Sequence, residues 1–331
     1  MLPAMSQPIA PVVPAMTKCS EYGFLHTRSR GRMIPAFIHP EATDRLRSTW
    51  DTTEHDILIV THQKVGTHLT KKFIVEILRT CGAIPAGHPV ADGDIGKSAV
   101  PWPEVSLSQG GVEAFDAFLQ ATKGQTRIVY THANADELPV RTLHPKTKLV
   151  MTYRDPKGAA ISQYHFYRKH PTLGVSDHLP LNRFVDYFLE GDLYFGDYHQ
   201  HVAGYFQPEV HGIDPHQILH LRFEDLVERK IQSVRTLSRF LLGRIPTLDQ
   251  VRAIADSTEF NTMKAAIQQN PGSFHFNPNR FFRSGRTDDW AEQLSDEDIT
   301  RIDAKTQRIW GALDAPATWV SSCTPQDAQA A

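Results

Sequence analysis

Three residues within a four-residue stretch, Lys64, Gly66 and Thr67, have the chemistry of an anion site. Glycine lets the backbone approach a ligand closely, threonine can donate a hydroxyl hydrogen bond, and lysine adds a positive charge. The set is suited to a phosphate or a sulfate. It is not a Walker A loop, because that motif places its lysine directly after the second glycine, whereas Lys64 precedes Gly66. An ordinary ATPase or GTPase is therefore disfavoured, and the segment alone is equally consistent with a plain strand-to-helix turn.

A second set with the same chemistry begins at Arg154. An arginine can place two parallel hydrogen bonds on one phosphate. Pro156 is suited to the first position of a helix, and Ser162 would lie about two turns into that helix, where it can donate a further hydrogen bond. For either residue by itself, a surface arginine or an ordinary helical serine remains an open alternative.

Both sets must be positioned by a strand before them and a helix after them. Residues 57–61 and 149–153 are short apolar runs typical of buried strands, and apolar residues recur at helical spacing over residues 69–78 and 159–167. The first amides of a helix lack internal partners, and the helix dipole favours negative charge there. The sequence therefore predicts two anion sites, each at the start of a helix.

The composition fits one α/β domain. The chain has 331 residues, of which 40% are hydrophobic and 22% charged, and alternating strands and helices predict a mainly parallel central sheet flanked by helices. We expect a flexible N-terminal tail and lead-in at residues 1–34, a single domain at residues 35–315, and a flexible C-terminal tail at residues 316–331. The first 17 residues contain four prolines and no charge, unlike a signal peptide.

Charge and cysteine content exclude several classes of partner. The formal net charge of −2 at pH 7 argues against binding to nucleic acid or to an anionic membrane. No run approaches the ~18 apolar residues of a membrane helix. Three widely separated cysteines favour a reducing compartment over a disulfide framework, so we predict a cytoplasmic protein. The metal-binding motifs H-E-x-x-H and paired C-x-x-C are absent from the sequence, and no metal site is predicted.

The two sets of predicted anion-binding residues together resemble those of the cytosolic sulfotransferase family, which uses 3'-phosphoadenosine 5'-phosphosulfate (PAPS). Residues 61–69 resemble the family's 5'-phosphosulfate loop, T-Y-P-K-S-G-T-T-W. Residues 154–166 resemble its 3'-phosphate segment, R-N-P-x-D-x-x-x-S-x-x-x-F. Residues 219–226 are similar to the strand that ends in Y-E-D, residues 281–290 resemble F-x-R-K-G-x-x-G-D-W, and residues 101–104 resemble the family's segment beside the acceptor.

The resemblance, which spans residues 35–315, implies a PAPS-dependent sulfotransferase. Such an enzyme transfers a sulfuryl group to a hydroxyl or amine of a small-molecule acceptor, releases 3'-phosphoadenosine 5'-phosphate (PAP), and uses no metal. The alternative is a catalytically weak PAPS- or nucleotide-binding protein of the same fold. The acceptor stays open, because pocket-lining loops vary and carry specificity. Residues 86–112 and 265–282 are expected to form those loops.

His132 is the predicted general base. Residues 126–130 are expected to form a strand, and His132 follows its carboxyl end, the edge at which open α/β sheets bind ligands. The family's catalytic histidine, in K-T-H, precedes its 3'-phosphate arginine at the spacing by which His132 precedes Arg154, 22 residues. By the same resemblance, Lys64 is predicted to stabilise charge on the transferred group and on the leaving phosphate.

The resemblance places the predicted binding residues in three groups. The 5'-phosphosulfate is expected to contact Lys64, Gly66, Thr67 and His68. The rest of the nucleotide is expected to contact Arg154, Ser162, Phe223, Phe260, Arg283, Ser284 and Gly285. Within that group Phe260 would stack on the adenine. The acceptor is expected to contact Trp102, Tyr130 and Phe166, although a single aromatic residue is equally suited to a hydrophobic core.

Several positions depart from the family's pattern, so we expect PAPS binding to be weaker or differently arranged. Tyr130 stands where the family has the lysine of K-T-H. One cation beside the sulfuryl group is therefore missing there, although a phenol can donate a hydrogen bond. The other replacements are Val65 for serine, Leu69 for tryptophan, Gly158 for aspartate, Phe223 for tyrosine and Ser284 for lysine.

The sequence also bears on assembly. Many members of the family pair through a segment K-x-x-x-T-V-x-x-x-E, which corresponds here to residues 291–300. Asp296 replaces the apolar residue, and the terminal lysine and glutamate are missing. We predict that this route to a dimer is lost, and that the protein is a monomer or a weak homodimer.

Overall fold

Six strands form two sheets in the part of the chain that the computed structural model describes, residues 21–96, 99–138, 143–269 and 283–313. The small sheet is an antiparallel hairpin of β1, His26–Ser29, and β2, Arg32–Pro35. The central sheet contains β3, Asp56–Thr61, β4, Arg127–Thr131, β5, Lys148–Tyr153, and β6, Ile218–Arg222. Its strand order is β4-β3-β5-β6, and every neighbouring pair is parallel.

Helices account for most of the remaining regular structure. In chain order they are α1 Pro40–Thr49, α2 Thr67–Thr80, α3 Pro103–Ala121, α4 Pro156–Lys169, α5 Leu181–Glu190, α6 Tyr198–Phe206, α7 Phe223–Glu228, α8 Lys230–Leu242, α9 Leu248–Ser257, α10 Phe260–Gln269 and α11 Asp296–Trp310. Within the described ranges, none of them is both long and apolar enough to cross a membrane.

The central strands are buried because helices cover the sheet. Leu58, Ile59, Leu149 and Val150 are fully buried, as is usual for parallel strands covered on both faces. Helix α2 contacts β3, α3 contacts β4, and α8 contacts β6. The predicted α/β fold, with a mainly parallel sheet flanked by helices, is confirmed.

Three loops begin next to one another at the carboxyl edge of the sheet. Val60 on β3 pairs with Thr131 on β4, and Thr61 on β3 pairs with Thr152 on β5, so the three strands end side by side. Strands β4 and β5 lie on opposite sides of β3, which makes this edge a topological switch point where ligands bind. The two predicted strand–loop–helix units are β3–α2 and β5–α4.

The N-terminal hairpin lies almost wholly inside the segment predicted as a flexible lead-in, residues 1–34. The described part of that segment is not a free tail, because Phe24, Met33 and Ile34 are buried in the core. Strands of four residues are too short to give a periodic signal, which is why sequence reasoning missed them. Residues 1–20, and the C-terminal tail predicted at residues 316–331, lie outside the described residues.

Candidate active site

One cavity at the carboxyl edge of the sheet is lined by all fifteen residues that the sequence predicts for the site. They come from strand β4, from the loops after β3, β4 and β5, from helices α2, α4, α7 and α10, from the residue before α3, and from residues 283–285. The structure therefore brings together residues that lie far apart in the chain: Lys64, Gly66, Thr67, His68, Trp102, Tyr130, His132, Arg154, Ser162, Phe166, Phe223, Phe260, Arg283, Ser284 and Gly285.

The loop before α2 depends on unusual backbone conformations. Lys64 has φ 64° and Gly66 has φ 110°, and Gly66 is the N-cap of α2. A side chain at position 66 would also collide with Phe223, because an added Cβ would lie 2.6 Å from its ring. Gly66 thus begins α2 at the cavity, whose lining includes Thr67 and His68 of its first turn. The first amides of a helix lack internal partners and can bind an anion.

Lys64 contributes a cation whose charge is poorly solvated. Its Nζ lies 4.4 Å from the centroid of the Phe166 ring. Burial of the ammonium group in the cavity lowers the pKa of Lys64 to about 7, and the positive charges of Arg154 and Arg283 add to this effect. An anionic ligand would relieve both the desolvation and the repulsion.

Arg154 is held rigidly in the cavity wall. The Tyr198 hydroxyl accepts a hydrogen bond from the Arg154 backbone N–H at 2.8 Å and donates one to its carbonyl at 2.6 Å. The guanidinium lies 4.4 Å from the Phe223 ring centroid, and its Nη2 donates to the Arg286 carbonyl at 3.3 Å. Its buried Nε has no hydrogen-bond partner among the described residues. Arg154 lines the cavity, and a guanidinium placed there is suited to bind an anion.

Gly158 makes room for this guanidinium. A Cβ added at position 158 would lie 2.8 Å from the Arg154 Nε. The glycine that departs from the family's aspartate is thus matched to the observed position of Arg154.

Residues 283–285 form another part of the cavity wall. Asp289 forms an ion pair with Arg283 and accepts a hydrogen bond from the Ser284 hydroxyl at 2.7 Å. Gly285 has φ 70°, and an added Cβ there would lie 2.8 Å from the Phe260 ring. Asp289 thus orders the segment, and Gly285 lets Phe260 pack against it.

His132 is fixed in the tautomer that a base requires. Its Nδ1 lies 2.7 Å from the Thr61 carbonyl oxygen, and because a carbonyl only accepts, Nδ1 carries the proton and Nε2 keeps its lone pair. Burial lowers the pKa of His132 to about 4, and the nearby charges of Lys71 and Lys64 lower it further, although the Thr61 hydrogen bond acts in the opposite direction. The ring is therefore neutral at physiological pH and able to accept a proton.

Aromatic side chains line the part of the cavity around His132. The Trp102 ring lies 4.8 Å from the His132 ring and 5.6 Å from the Tyr130 ring, measured between centroids. Phe37 packs edge-on against Trp102 at 6.3 Å. Burial raises the pKa of Tyr130, so its phenol stays protonated and can donate a hydrogen bond. This end of the cavity suits an apolar ligand.

Sequence reasoning missed several residues that line the same cavity. Lys71 lies on α2 four residues after Thr67, and the i, i+4 spacing, which puts both on one helix face, was the available signal. Phe37 lies just after the short hairpin and carries no motif. The other missed lining residues are Gln63, Leu69, His170, Leu173, Val227, Lys230, Thr258, Met263 and Arg286. Residues 97–98 and 270–282, which belong to the predicted specificity loops, lie outside the described residues.

The described residues contain no group of three His, Cys, Asp or Glu side chains placed to hold a metal ion. The donors around the cavity are instead ammonium, guanidinium, hydroxyl and backbone N–H groups. These are ligands for anions rather than for cations.

Comparisons with known proteins agree on one family. A family profile described as "Sulfotransferase domain" matches residues 54–314. Sulfotransferase 6B1 of Danio rerio is 26% identical over 268 residues, which cover 80% of this chain and 81% of that protein. Two solved structures share the fold. Mouse sulfotransferase SULT7A1 complexed with PAP has a TM-score of 0.71 at 24% identity, covering 89% of this chain and 98% of that one. Retinol dehydratase in complex with androsterone and inactive cofactor PAP has a TM-score of 0.65 at 16% identity, with coverages of 89% and 92%.

Proposed function

The chain belongs to the sulfotransferase domain family and is a PAPS-dependent enzyme, and from this premise we propose which of its residues carry the transfer. The observation that carries the proposal is the geometry of His132. Its Nδ1–H donates a hydrogen bond to the Thr61 carbonyl at 2.7 Å, so Nε2 keeps its lone pair and can act as a base. His132 lines the same cavity as the residues of both predicted anion sites.

PAPS would occupy the cationic part of the cavity and supply an activated sulfuryl group. The amides at the start of α2, together with Lys64, Thr67 and His68, would hold its 5' end. Arg154 would bind the 3'-phosphate, which is supported by its place in the cavity lining and by the suitability of a guanidinium for phosphate. Further contacts would come from Ser162, Phe223, Arg283, Ser284 and Gly285, with the adenine on Phe260. The PAP in the two structural relatives is consistent with this occupant.

His132 would take the proton of the acceptor, a step that general-base catalysis accelerates by typically about 10²- to 10⁴-fold. Lys64 would stabilise the negative charge that develops on the leaving phosphate. Both roles follow from protonation states: the imidazole is neutral because its pKa is low, and an anion at the loop would keep Lys64 protonated.

The acceptor would be an apolar small molecule with a hydroxyl or amine group. The aromatic wall of Trp102, Tyr130 and Phe166 supports this class, because flat apolar side chains bury apolar ligand surface effectively. A structural relative was solved with androsterone, a ligand of that class.

We also propose that residues 35–315 form the functional unit, preceded by the packed hairpin, and that the protein acts in the cytoplasm. The few, separated cysteines support that location. Loss of the family's pairing pattern at residues 291–300 supports a monomer or a weak homodimer.

The test is turnover of labelled PAPS against a mixed panel of phenols, alcohols and amines, with products identified by mass. We expect a sulfated product and release of PAP. Binding of PAP that depends on the 3'-phosphate, with no transfer to any acceptor, would instead support a nucleotide-binding protein of the same fold.

A further inference from the structure

Lys71 is a buried lysine without a buried counter-charge. The deeply buried lysines of the described chain are Lys71, Lys157 and Lys305. Lys157 has an Asp303 oxygen at 2.6 Å, and Lys305 has an Asp197 oxygen at 2.6 Å. By contrast, no described carboxylate lies within ion-pair distance of Lys71. An ammonium held in this way is costly for the fold unless a ligand supplies the missing charge.

The contact that Lys71 does make places it at the junction of the two ends of the cavity. Its Nζ lies 4.5 Å from the centroid of the Tyr130 ring, which favours a cation over its face. Tyr130 precedes His132 by two residues on the adjoining strand end. Lys71 also follows Thr67 by one helical turn, and long helical side chains lean toward the N-terminus of their helix. Lys71 lines the same cavity as Gly66 and Thr67, so its ammonium shares that cavity with the anion site at the start of α2.

The charge of Lys71 acts within this site. The Tyr130 ring that Lys71 contacts lies 5.9 Å from the His132 ring, measured between centroids. Burial lowers the pKa of His132 most, and Lys71 is the neighbouring charge that lowers it most. Burial lowers the pKa of Lys71 itself to about 7, and the attraction of Asp94 only partly opposes this. A sulfuryl oxygen between Lys71 and His132 would restore the ammonium to its fully charged state.

We propose that Lys71 is the second cation of the transfer site and binds an oxygen of the transferred sulfuryl group. It replaces, from helix α2, the lysine that the family carries at the position of Tyr130. This inference rests on the proposed function. In the reaction the bond between sulfur and the bridging phosphate oxygen breaks, and a bond between sulfur and the acceptor's oxygen or nitrogen forms. The acceptor proton passes to His132, while Lys71 donates a hydrogen bond and keeps its proton.

The test compares Lys71→Met with Lys72→Met in single-turnover transfer at saturating PAPS. Lys72 is the matched control, since it is the next residue of the same helix and its Nζ is paired with Glu76 at 2.5 Å. We expect Lys71→Met to slow transfer by about 10²-fold, the typical effect of removing one oxyanion donor, and Lys72→Met to leave it unchanged. Affinity for PAP should stay the same in both variants, because PAP lacks the sulfuryl group.

Moving the positive charge from position 71 to position 130 distinguishes a role of Lys71 in transfer from a purely structural role. In the Lys71→Met background, Tyr130→Lys should restore most of the lost rate relative to Lys71→Met alone, because it returns a cation beside His132 from strand β4. If Lys71→Met does not fold, Lys71→Gln replaces it in each comparison.

Three results would overturn the proposal: a wild-type rate in Lys71→Met, a parallel loss of PAP affinity and thermal stability, or no rescue by Tyr130→Lys. A wild-type protein that transfers to no acceptor would overturn the proposed function itself, an outcome distinguishable from all three.

Discussion

The two ends of the cavity are built by different means. At the nucleotide end, donors come from short contiguous segments whose backbone is fixed by Gly66 and Gly285, both at positive φ, and by the Tyr198 hydroxyl that holds Arg154. At the acceptor end, the walls are side chains from separate elements, among them Trp102 and Phe37. Anion binding is a property of local backbone, whereas a shaped apolar pocket is a property of tertiary packing.

The ends also differ in charge. The nucleotide end concentrates the cations of Lys64, Arg154 and Arg283, and their mutual repulsion helps to lower the pKa of Lys64. The acceptor end is lined by the neutral His132 and Tyr130, with Lys71 at the boundary. Substitutions at one end should therefore affect nucleotide affinity, and substitutions at the other should affect the transfer rate.

The largest effect is expected at the acceptor end. His132→Ala should reduce the single-turnover transfer rate by about 10²- to 10⁴-fold, because the general base is lost, while affinity for PAP barely changes. The matched control is His88→Ala. His88 is also buried, and its ring nitrogen lies 2.7 Å from the Thr126 carbonyl, but it does not line the cavity. Full activity in His132→Ala would remove the proposed mechanism, and a large loss in His88→Ala would point to a fold defect.

The corresponding change at the nucleotide end is Arg154→Ala. Hydrogen bonds to charged groups contribute about 1.5–3 kcal/mol, so affinity for PAP should fall by about 10- to 100-fold. Affinity for AMP, which lacks the 3'-phosphate, should stay the same; both are measured by calorimetric titration. An equal loss of affinity for PAP and AMP would show that Arg154 does not contact the 3'-phosphate. It would contradict the assignment of Arg154 to the nucleotide end of the cavity.

The same contrast explains what the sequence predicts well. Both strand–loop–helix units and the parallel sheet were predicted, because apolar runs and helical spacing are local signals. All fifteen predicted site residues line one cavity. Several of them follow parallel strands, and the carboxyl ends of those strands lie side by side at one edge of the sheet. Their individual roles stay predictions.

What the sequence could not predict depends on distant contacts. Phe37 follows a hairpin of two four-residue strands and lines the cavity, where it packs on Trp102. The sequence pattern of α2 suits an exposed lysine at position 71 as well as at position 72. Burial, the cavity lining and the contact with the Tyr130 ring distinguish Lys71 from Lys72, which is paired with Glu76. Tyr198 holds Arg154 from 44 residues away, a contact that no local pattern indicates.

The pH dependence of kcat/KM tests the difference in charge between the nucleotide end and the acceptor end of the cavity. The value of kcat/KM for PAPS reports groups of the free enzyme, in which the pKa of Lys64 and of Lys71 is about 7. Both must be protonated to bind an anion, so kcat/KM should fall above pH 7, by about tenfold per pH unit for each lysine. On the acid side His132 must be neutral, and with a pKa of about 4 it protonates only near that pH. The double variant Lys64→Arg, Lys71→Arg should lose the alkaline fall, whereas a flat wild-type profile to pH 9 would contradict the lysine assignment.

The smallest effect is expected from Gly158→Ala, which tests how closely the nucleotide end is fitted. The added Cβ would lie 2.8 Å from the Arg154 Nε, so the guanidinium must leave its present rotamer, at a cost of about 0.5–1.5 kcal/mol. Affinity for PAP should therefore fall by only a few-fold, and affinity for AMP should not change.

Gly204→Ala on helix α6 is the control, because its Cβ would meet the Ala135 Cβ at an ordinary 3.4 Å. Alanine also favours the helix by up to about 1 kcal/mol over glycine, so the variant should bind PAP less well without melting earlier. Unchanged PAP affinity would mean that Arg154 can move freely, and that the nucleotide end is no more rigid than the acceptor end.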